Sequence, residues 1–217
     1  MLDYRIKYPK TPHVPWSVGT SDDKTLITDA HFEKERVIVS LKMDGENTSI
    51  YNDYMHARSL YPPNHPSQSW VKKLAGEIGW KLNMFERVCG ENLYAQHTVH
   101  YDDLPSYFMV FSVWDNSAGL DLCLHWDETV TIVNDLKLIT VPIIYDGIYN
   151  KEAIIKAYAP YADKHEGYVI RNAKMFLYEN FDKNVAKFVN PGFRQTLKES
   201  TVHWASAKVI PNKLCSI

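Results

Sequence analysis

The run YFMVFSVWD, residues 107–115, is almost uninterrupted apolar sequence and constrains the fold more than any other stretch of the chain. A strand that is apolar on both alternating faces must be covered on both, so it belongs in the middle of a packed sheet. The partners it needs are legible on either side. Residues 35–43 alternate and then run apolar; FERVCGENLY (85–94), VPIIYDG (141–147), GYVIRN (167–172) and NVAKFVN (184–190) also read as strands. Residues 48–51 and 54–58 flank the turn pair Asn52-Asp53 and predict a hairpin.

Helices are predicted between these strands. Trp70, Leu74 and Ile78 recur every four residues over 70–82, with Ser67 or Ser69 as the cap. A second helix opens at Asp127 or Thr129 and runs to Leu138, and a third spans 151–162 with Ile154, Ile155 and Tyr158 on its inner face. The segment from Pro191 reads as helix or helical turns, whereas 8–19 reads as an extended, irregular entry segment and 61–69 as a proline-rich loop. The sum is an α+β chain. At 217 residues it can bury roughly 70% of its unfolded surface and hold both a core and a cleft. No internal repeat or composition break divides it.

Apolar residues at 45% and aromatics at 13% exclude a disordered chain. Cys89, Cys123 and Cys215 are odd in number and far apart, which argues against a disulfide framework or a zinc site and suits a reducing compartment. No stretch approaches a membrane span or a leader's apolar segment, so the expectation is a soluble, cytoplasmic protein, in a host's cytoplasm if the chain is phage-encoded. The net charge of −2 conceals an asymmetry: from Lys183 onward six basic residues face one acid. A cationic tail on an acidic body suits a polyanion, and a solvated terminal helix would carry the same charges.

Lys42 stands where the strand 35–43 leaves the core. Desolvation there is expected to lower its pKa and make it a nucleophilic amine; the alternative is a lysine that snorkels to the surface. Asp44-Gly45 follows at once with an acid and a tight turn, and Arg58 lies on the returning arm of the hairpin. Glu91 follows Gly90 in a strand, Glu166-Gly167 opens another, and Lys187 sits in a third. Acids and bases that converge from strand ends are what a phosphate-transfer cleft requires.

The ordered series Lys42-Met43-Asp44-Gly45, Arg58-Ser59, Gly90-Glu91, FMVF, Glu166-Gly167-Tyr168-Val169-Ile170-Arg171 and Ala186-Lys187-Phe188-Val189 resembles motifs I, Ia, III, IIIa, IV and V of the covalent nucleotidyltransferases. That superfamily comprises ATP-dependent RNA and DNA ligases and mRNA capping enzymes. The form EGYVIR, the GENT ending of the first motif and the short length are most similar to phage RNA ligases of the RNA-ligase-2 kind. The resemblance implies a nucleotidyltransferase (ATP-grasp-like ligase) fold, with antiparallel sheets and flanking helices around a nucleotide cleft. It implies one adenylyltransferase domain over 1–217, with 190–217 a basic helical extension and no OB domain.

It also implies a chemistry. Lys42 would attack the α-phosphate of ATP to form lysyl-AMP, the AMP would pass to an RNA 5′-phosphate, and a 3′-hydroxyl would displace it. Mg²⁺ or Mn²⁺ would be held by Glu166. Lys42, Glu166 and Lys187 would be catalytic, with Lys187 stabilising the transition state. Asp44 would belong to the nucleotide site, Glu91 would hold the ribose hydroxyls and Phe111 would stack on adenine. Arg58, Arg171 and Lys187 would contact phosphate oxygens. Asn47 would lie near the reacting RNA ends. The tail, through Arg194, Lys198, His203, Trp204 and Lys208, would bind RNA by phosphate contact and stacking. A monomer acting on nicked or broken duplex RNA is expected.

Three positions depart from the pattern. Leu41 replaces an acid before the nucleophile, Val189 replaces a second lysine of motif V, and Ser112 follows Phe111 where an aspartate is common. Lys183 or Arg194 would supply the missing phosphate contact. The alternatives are a nick-sealing DNA ligase, a GTP-using capping-type transferase, or a nucleotide- or RNA-binding module without catalysis. No GxSxG, Walker A or GxGxxG motif occurs, and His97 and His100 lack companions at ligand spacing.

Overall fold

Two antiparallel sheets packed face to face carry the apolar strands seen in the sequence. The computed structural model describes residues 5–17, 23–60, 65–192 and 209–216. The smaller sheet has the order β11 (Val185–Val189), β9 (Gly167–Asn172), β1 (Arg36–Lys42), β8 (Ile143–Ile148). The larger runs β10 (Phe176–Leu177), β6 (Leu122–Cys123), β5 (Phe108–Asp115), β4 (Glu86–Asn92), β2 (Glu46–Tyr51), β3 (Met55–Ala57), with the two-residue β7 (Ile139–Thr140) parallel to β5. β5 holds the central place that its composition demands, and Phe108, Val110, Val113 and Trp114 are fully buried.

Alternation along the strands separates core from cleft. In β1, Val37, Val39 and Leu41 join Tyr168, Ile170 and Ala186 in a core closed by Ile154 and Tyr158 of α3 (Lys151–Tyr158). Ile38, Ser40 and Lys42 face the other way, opposite Arg171, Val169 and Gly167 of β9. The outer face of the larger sheet is covered by α1 (Ser69–Ile78) and α2 (Trp126–Asp135), where Ile50, Val88, Val110 and Val113 pack against Val71, Ile78 and Val133. The short α4 (Phe181–Asn184) leads into β11, and its Phe181 stacks on Trp114 between the sheets.

Both main helix starts differ from the sequence expectation. α1 has no side-chain cap of its own but continues a 3-10 turn, Pro66–Gln68, that His65 caps by accepting from the Ser67 amide at Nδ1 (3.3 Å), and the Asp127 amide donates to His125 Nδ1 (3.2 Å) at the start of α2. Gln68 and Glu128 complete each box by accepting from the histidine amides. An imidazole nitrogen with a free lone pair does what a serine oxygen does.

The two terminal segments divide: the first is extended, as its prolines predict, and the second departs from the expected helix. Residues 12–14 are extended along the outer edge of β11, with Lys187 N–H donating to Pro12 O and Val14 N–H to Lys187 O, both at 2.9 Å. Residues 209–216 are extended rather than helical and clasp the loop 93–107 through bridges Ala95↔Pro211 and Leu104↔Leu214. The predicted helix beyond 192 otherwise falls outside the described residues. No helix among the described residues is long and apolar enough to cross a membrane.

Candidate active site

Between the two sheets lies a cleft of about 370 Å³, within the ~300–1,000 Å³ range of small-molecule sites. One wall is the inner face of the smaller sheet: Ile38, Ser40 and Lys42 of β1, Val169 and Arg171 of β9, Val185 and Lys187 of β11. The facing wall comprises Gly45 and Asn47 at the start of β2, Glu91 of β4, Phe111 of β5, Cys123 and Phe176. Seven residues singled out in the sequence therefore meet here: Lys42, Asn47, Arg58, Glu91, Phe111, Arg171 and Lys187.

Lys42 ends β1 in register with Gly167, so the preceding Glu166 reaches it directly, and the ammonium donates to Glu166 Oε2. Gly167 is required at this junction, because a Cβ would sit 1.9 Å from Phe188 O on β11. Gly45 is required by the turn behind the lysine, where a Cβ would lie 2.4 Å from Asn92 O. Its amide donates to Glu91 Oε1 at 3.1 Å, which ties the two strands of the facing wall together.

The electrostatics correct one expectation. Burial does push the Lys42 pKa down, but Glu166, Glu91 and Asp44 outweigh it and the net shift is upward. The amine is stored as an ammonium, not poised as a free base. Glu91 is pushed up to about 8 by burial, with Lys42 and the Gly45 amide opposing and Asp44 and Glu166 adding to the rise.

Phe111 owes its direction to a bulge. Cys89 and Gly90 are adjacent on β4, yet they pair with Ser112 and Val110, leaving Phe111 as the extra residue. A bulge re-aims a side chain that regular alternation would send elsewhere. Here the ring comes into the cleft, with Tyr8 edge-on at 5.2 Å. Val169 of the opposite sheet packs against the same aromatic cluster, so an aromatic and an aliphatic side chain border one slot.

Two of the expected residues are engaged within the protein. The Arg171 guanidinium is buried: it donates to the carbonyls of Phe111 (2.7 Å) and Leu124 (3.2 Å) and to Cys123 Sγ (3.2 Å). It braces the two sheets under Phe111 while lining the cleft. Asp44 lies behind the wall; its Oδ2 accepts from Val99 N–H (2.7 Å) and its own amide donates to Tyr101 Oη (3.0 Å). It anchors the loop 93–107 to the turn that follows Lys42. Arg194, Lys198, His203, Trp204 and Lys208 lie outside the described residues.

Sequence reasoning missed Tyr8, Lys10, Asp23 and Val169, all of which line the cleft. Val169 was available from strand alternation, being cross-strand from Lys187. The other three sit in or beside a proline-rich segment with no periodicity to read.

The donor set suits a hard cation. No group of three or more His, Cys, Asp or Glu residues able to hold a metal occurs among the described residues, but Glu166 offers a carboxylate beside Lys42 and the buried Asn47 Oδ1 has no hydrogen-bond partner. Few protein oxygens beside a cleft fit Mg²⁺ or Mn²⁺ that keeps water and shares phosphate oxygens.

The model of the RNA ligase family matches residues 35–189, which contains every element of both cleft walls except Tyr8 to Asp23. No curated protein matches. Among solved structures, a Naegleria gruberi RNA ligase mutant with ATP and Mn superposes with a TM-score of 0.53 at 15% identity, covering 79% of this chain and 55% of that one. An archaeal ATP-dependent RNA ligase gives 0.53 at 18%, covering 75% and 44%. A putative ATP-dependent DNA ligase from Aquifex aeolicus gives 0.51 at 17%, covering 75% and 46%. These likenesses establish a shared fold, and the chain spans about half the length of the structures it matches. With its family model covering both sheets and the cleft between them, the chain belongs to the RNA ligase family.

Proposed function

We propose that the protein joins RNA ends, a 3′-hydroxyl to a 5′-phosphate, by way of lysyl-AMP and adenylylated RNA. The observation that carries this reading is the meeting of Lys42 with Glu166 at one mouth of a cleft whose walls supply Glu91, Phe111 and Lys187. The Naegleria ligase is named with ATP and Mn, and a nucleotide slot with nearby oxygen donors is consistent with those ligands.

Adenine occupies the slot between Phe111 and Val169, and the Glu91 carboxylate accepts from the ribose hydroxyls. Lys42 Nζ gives up a proton, attacks the α-phosphorus and expels pyrophosphate in line. An RNA 5′-phosphate oxygen then attacks the same phosphorus and returns the amine. Last, the RNA 3′-oxygen attacks the 5′-phosphorus, forms the phosphodiester and releases AMP. Lys187 and Arg58 face the phosphates and offset the charge that builds on their oxygens. A divalent cation at Glu166 would supply further charge neutralisation. Glu166 is the group that touches the Lys42 ammonium, so it holds the proton that must leave before attack.

Incubation with α-labelled ATP or GTP and Mg²⁺, after stripping bound AMP with pyrophosphate, tests the reading on a denaturing gel. Label should stay on the wild type with ATP and vanish in Lys42→Ala; a stripped wild type that takes label from neither nucleotide sinks it. Nicked RNA, nicked DNA and single-stranded RNA ends then decide the acceptor, with sealing of nicked RNA expected. Preference for nicked DNA would favour the activity named for the Aquifex protein.

A further inference from the structure

The N-terminal strap is built into the cleft wall. His13 pairs in parallel with Lys187 on one side and Thr25 on the other, and Val189 N–H donates to Ser17 Oγ at 2.9 Å. The strap thus borders the outer edge of β11 through an isolated bridge at His13. Tyr8, Pro9, Lys10, Thr11 and Asp23 consequently line the same cleft as Lys42 and Lys187. Lys10 lies two residues, about 6.6 Å of extended chain, before the Pro12 carbonyl that bonds to Lys187.

From this placement, and resting on the ligase reading above, we infer that Lys10 is a phosphate ligand acting beside Lys187. Among the described residues five cations line the cleft, Lys10, Lys42, Arg58, Arg171 and Lys187, and Arg171 donates to carbonyls. A polyphosphate in the cleft therefore meets Lys10 on the same wall as Lys187. Lys183, proposed from the sequence for this duty, is exposed on α4 and lines none of the cleft.

Lys10 is also held in a way that lets it be handed over. Its Nζ stands 3.5 Å from Asp23 Oδ1, and its side chain is 44% exposed, so the pair contributes little net stability. Asp23 is fixed independently: its Oδ2 is 3.4 Å from Nε2 of the fully buried His13, whose Nδ1 bonds to Ser17 Oγ at 2.7 Å. A phosphate oxygen at hydrogen-bond distance offers Lys10 a closer charge-assisted contact than its 3.5 Å pairing with the half-buried Asp23. Two sources share this chemistry: the β- and γ-phosphates of the nucleotide, and the 5′-phosphate of the RNA.

Single-turnover measurements on the full chain separate them. If the source is the nucleotide, Lys10→Met raises the ATP concentration needed for half-maximal lysyl-AMP formation about 10- to 100-fold, the loss of one charge-assisted hydrogen bond. If the source is RNA, label forms normally and its transfer to a 5′-phosphorylated end slows by a similar factor. Lys10→Arg restores either step, and Asp23→Asn leaves phosphate affinity intact or tighter. Lys10→Met with both steps at the wild-type rate overturns the inference, as does an equal loss in Asp23→Asn, which would reduce Lys10 to an ion-pair partner. A wild type that forms no lysyl-AMP refutes the ligase reading itself, an outcome distinct from all of these.

Discussion

Lys42 and Glu166 are bonded across the paired ends of β1 and β9, ammonium to carboxylate, so the proposed nucleophile and the residue proposed to hold the metal are each other's partners. The pairing explains how a chemically demanding amine is tolerated at the edge of a core. It also makes activation a matter of exchange: a cation that takes Glu166 weakens the main influence holding the lysine protonated.

The first prediction follows from the sign of that influence. Lys42 is held above its ordinary pKa, so over pH 6–9 only a small fraction is free amine, and that fraction grows about tenfold per unit. Lysyl-AMP formation at saturating ATP and Mg²⁺ should rise with pH over this range. In Glu166→Gln the strongest charge raising the lysine is gone, so the rise should shift to lower pH while the maximal rate falls. Quench-flow rates across pH for both proteins check it; coincident profiles would separate Glu166 from the lysine's protonation.

The second concerns Glu91. Its folded pKa of about 8 lies above the ordinary carboxylate value of 4.5, so the folded protein holds a proton that the unfolded chain releases. Stability contributed at this site therefore falls as pH climbs from 4.5 to 8 and changes no further above that. Glu91→Gln keeps an acceptor for Gly45 N–H but has no proton to hold. Its melting temperature in the absence of nucleotide should exceed the wild type's by a margin that widens from pH 5 to 8 and then levels. Adenylylation should fall at least tenfold in the same variant, through the lost ribose contact.

The sheets and the placement of Lys42, Glu91 and Lys187 were legible because strand alternation is a two-residue code, and each polar residue breaks it at a strand margin. Phe111 was legible as an aromatic but not as a re-aimed one, since a bulge depends on pairing with β4 that no local pattern records. The Lys42 pKa was misread because burial can be judged from one strand, whereas the two leading opposing acids, Glu166 and Glu91, arrive from strands distant in the chain. The brace made by Arg171 was not legible for a related reason: its acceptors, Phe111 O and Leu124 O, lie 60 and 47 residues away. Tyr8 and Lys10 gave no signal because a proline-rich strap takes its shape from the β11 edge it borders.

The Arg171 brace yields the third prediction. Arg171→Met strands the buried carbonyls of Phe111 and Leu124, at roughly 1–3 kcal/mol each. A loss of several degrees in melting temperature is expected, at about 2–4 °C per kcal/mol for a chain this size. Arg171→Lys should recover little, because an ammonium cannot reproduce the planar fork that serves two carbonyls and a thiol at once. Full recovery by lysine in thermal melts would show that charge, not geometry, is what the site needs.

The fourth prediction concerns the clasp between the C-terminal segment and the nucleophile's turn. Asn212 is 2% exposed; its Oδ1 accepts from Tyr101 N–H (2.9 Å), its Nδ2 donates to Leu93 O (2.8 Å) and its carbonyl accepts from Tyr107 Oη (2.8 Å). Tyr101 Oη in turn receives the Asp44 amide, two residues from Lys42. Asn212→Ala leaves Tyr101 N–H and Leu93 O without these partners, and the loop that holds Asp44 loses its inner support. Besides a lower melting temperature, lysyl-AMP formation at saturating ATP should slow well below that temperature, because the turn carrying Lys42 is no longer held in register with Glu166. Asn212→Asp keeps the acceptor for Tyr101 and should recover part of the rate while still lacking the bond to Leu93. A variant that melts early yet adenylylates as fast as the wild type would confine Asn212 to stability and detach the tail from the chemistry.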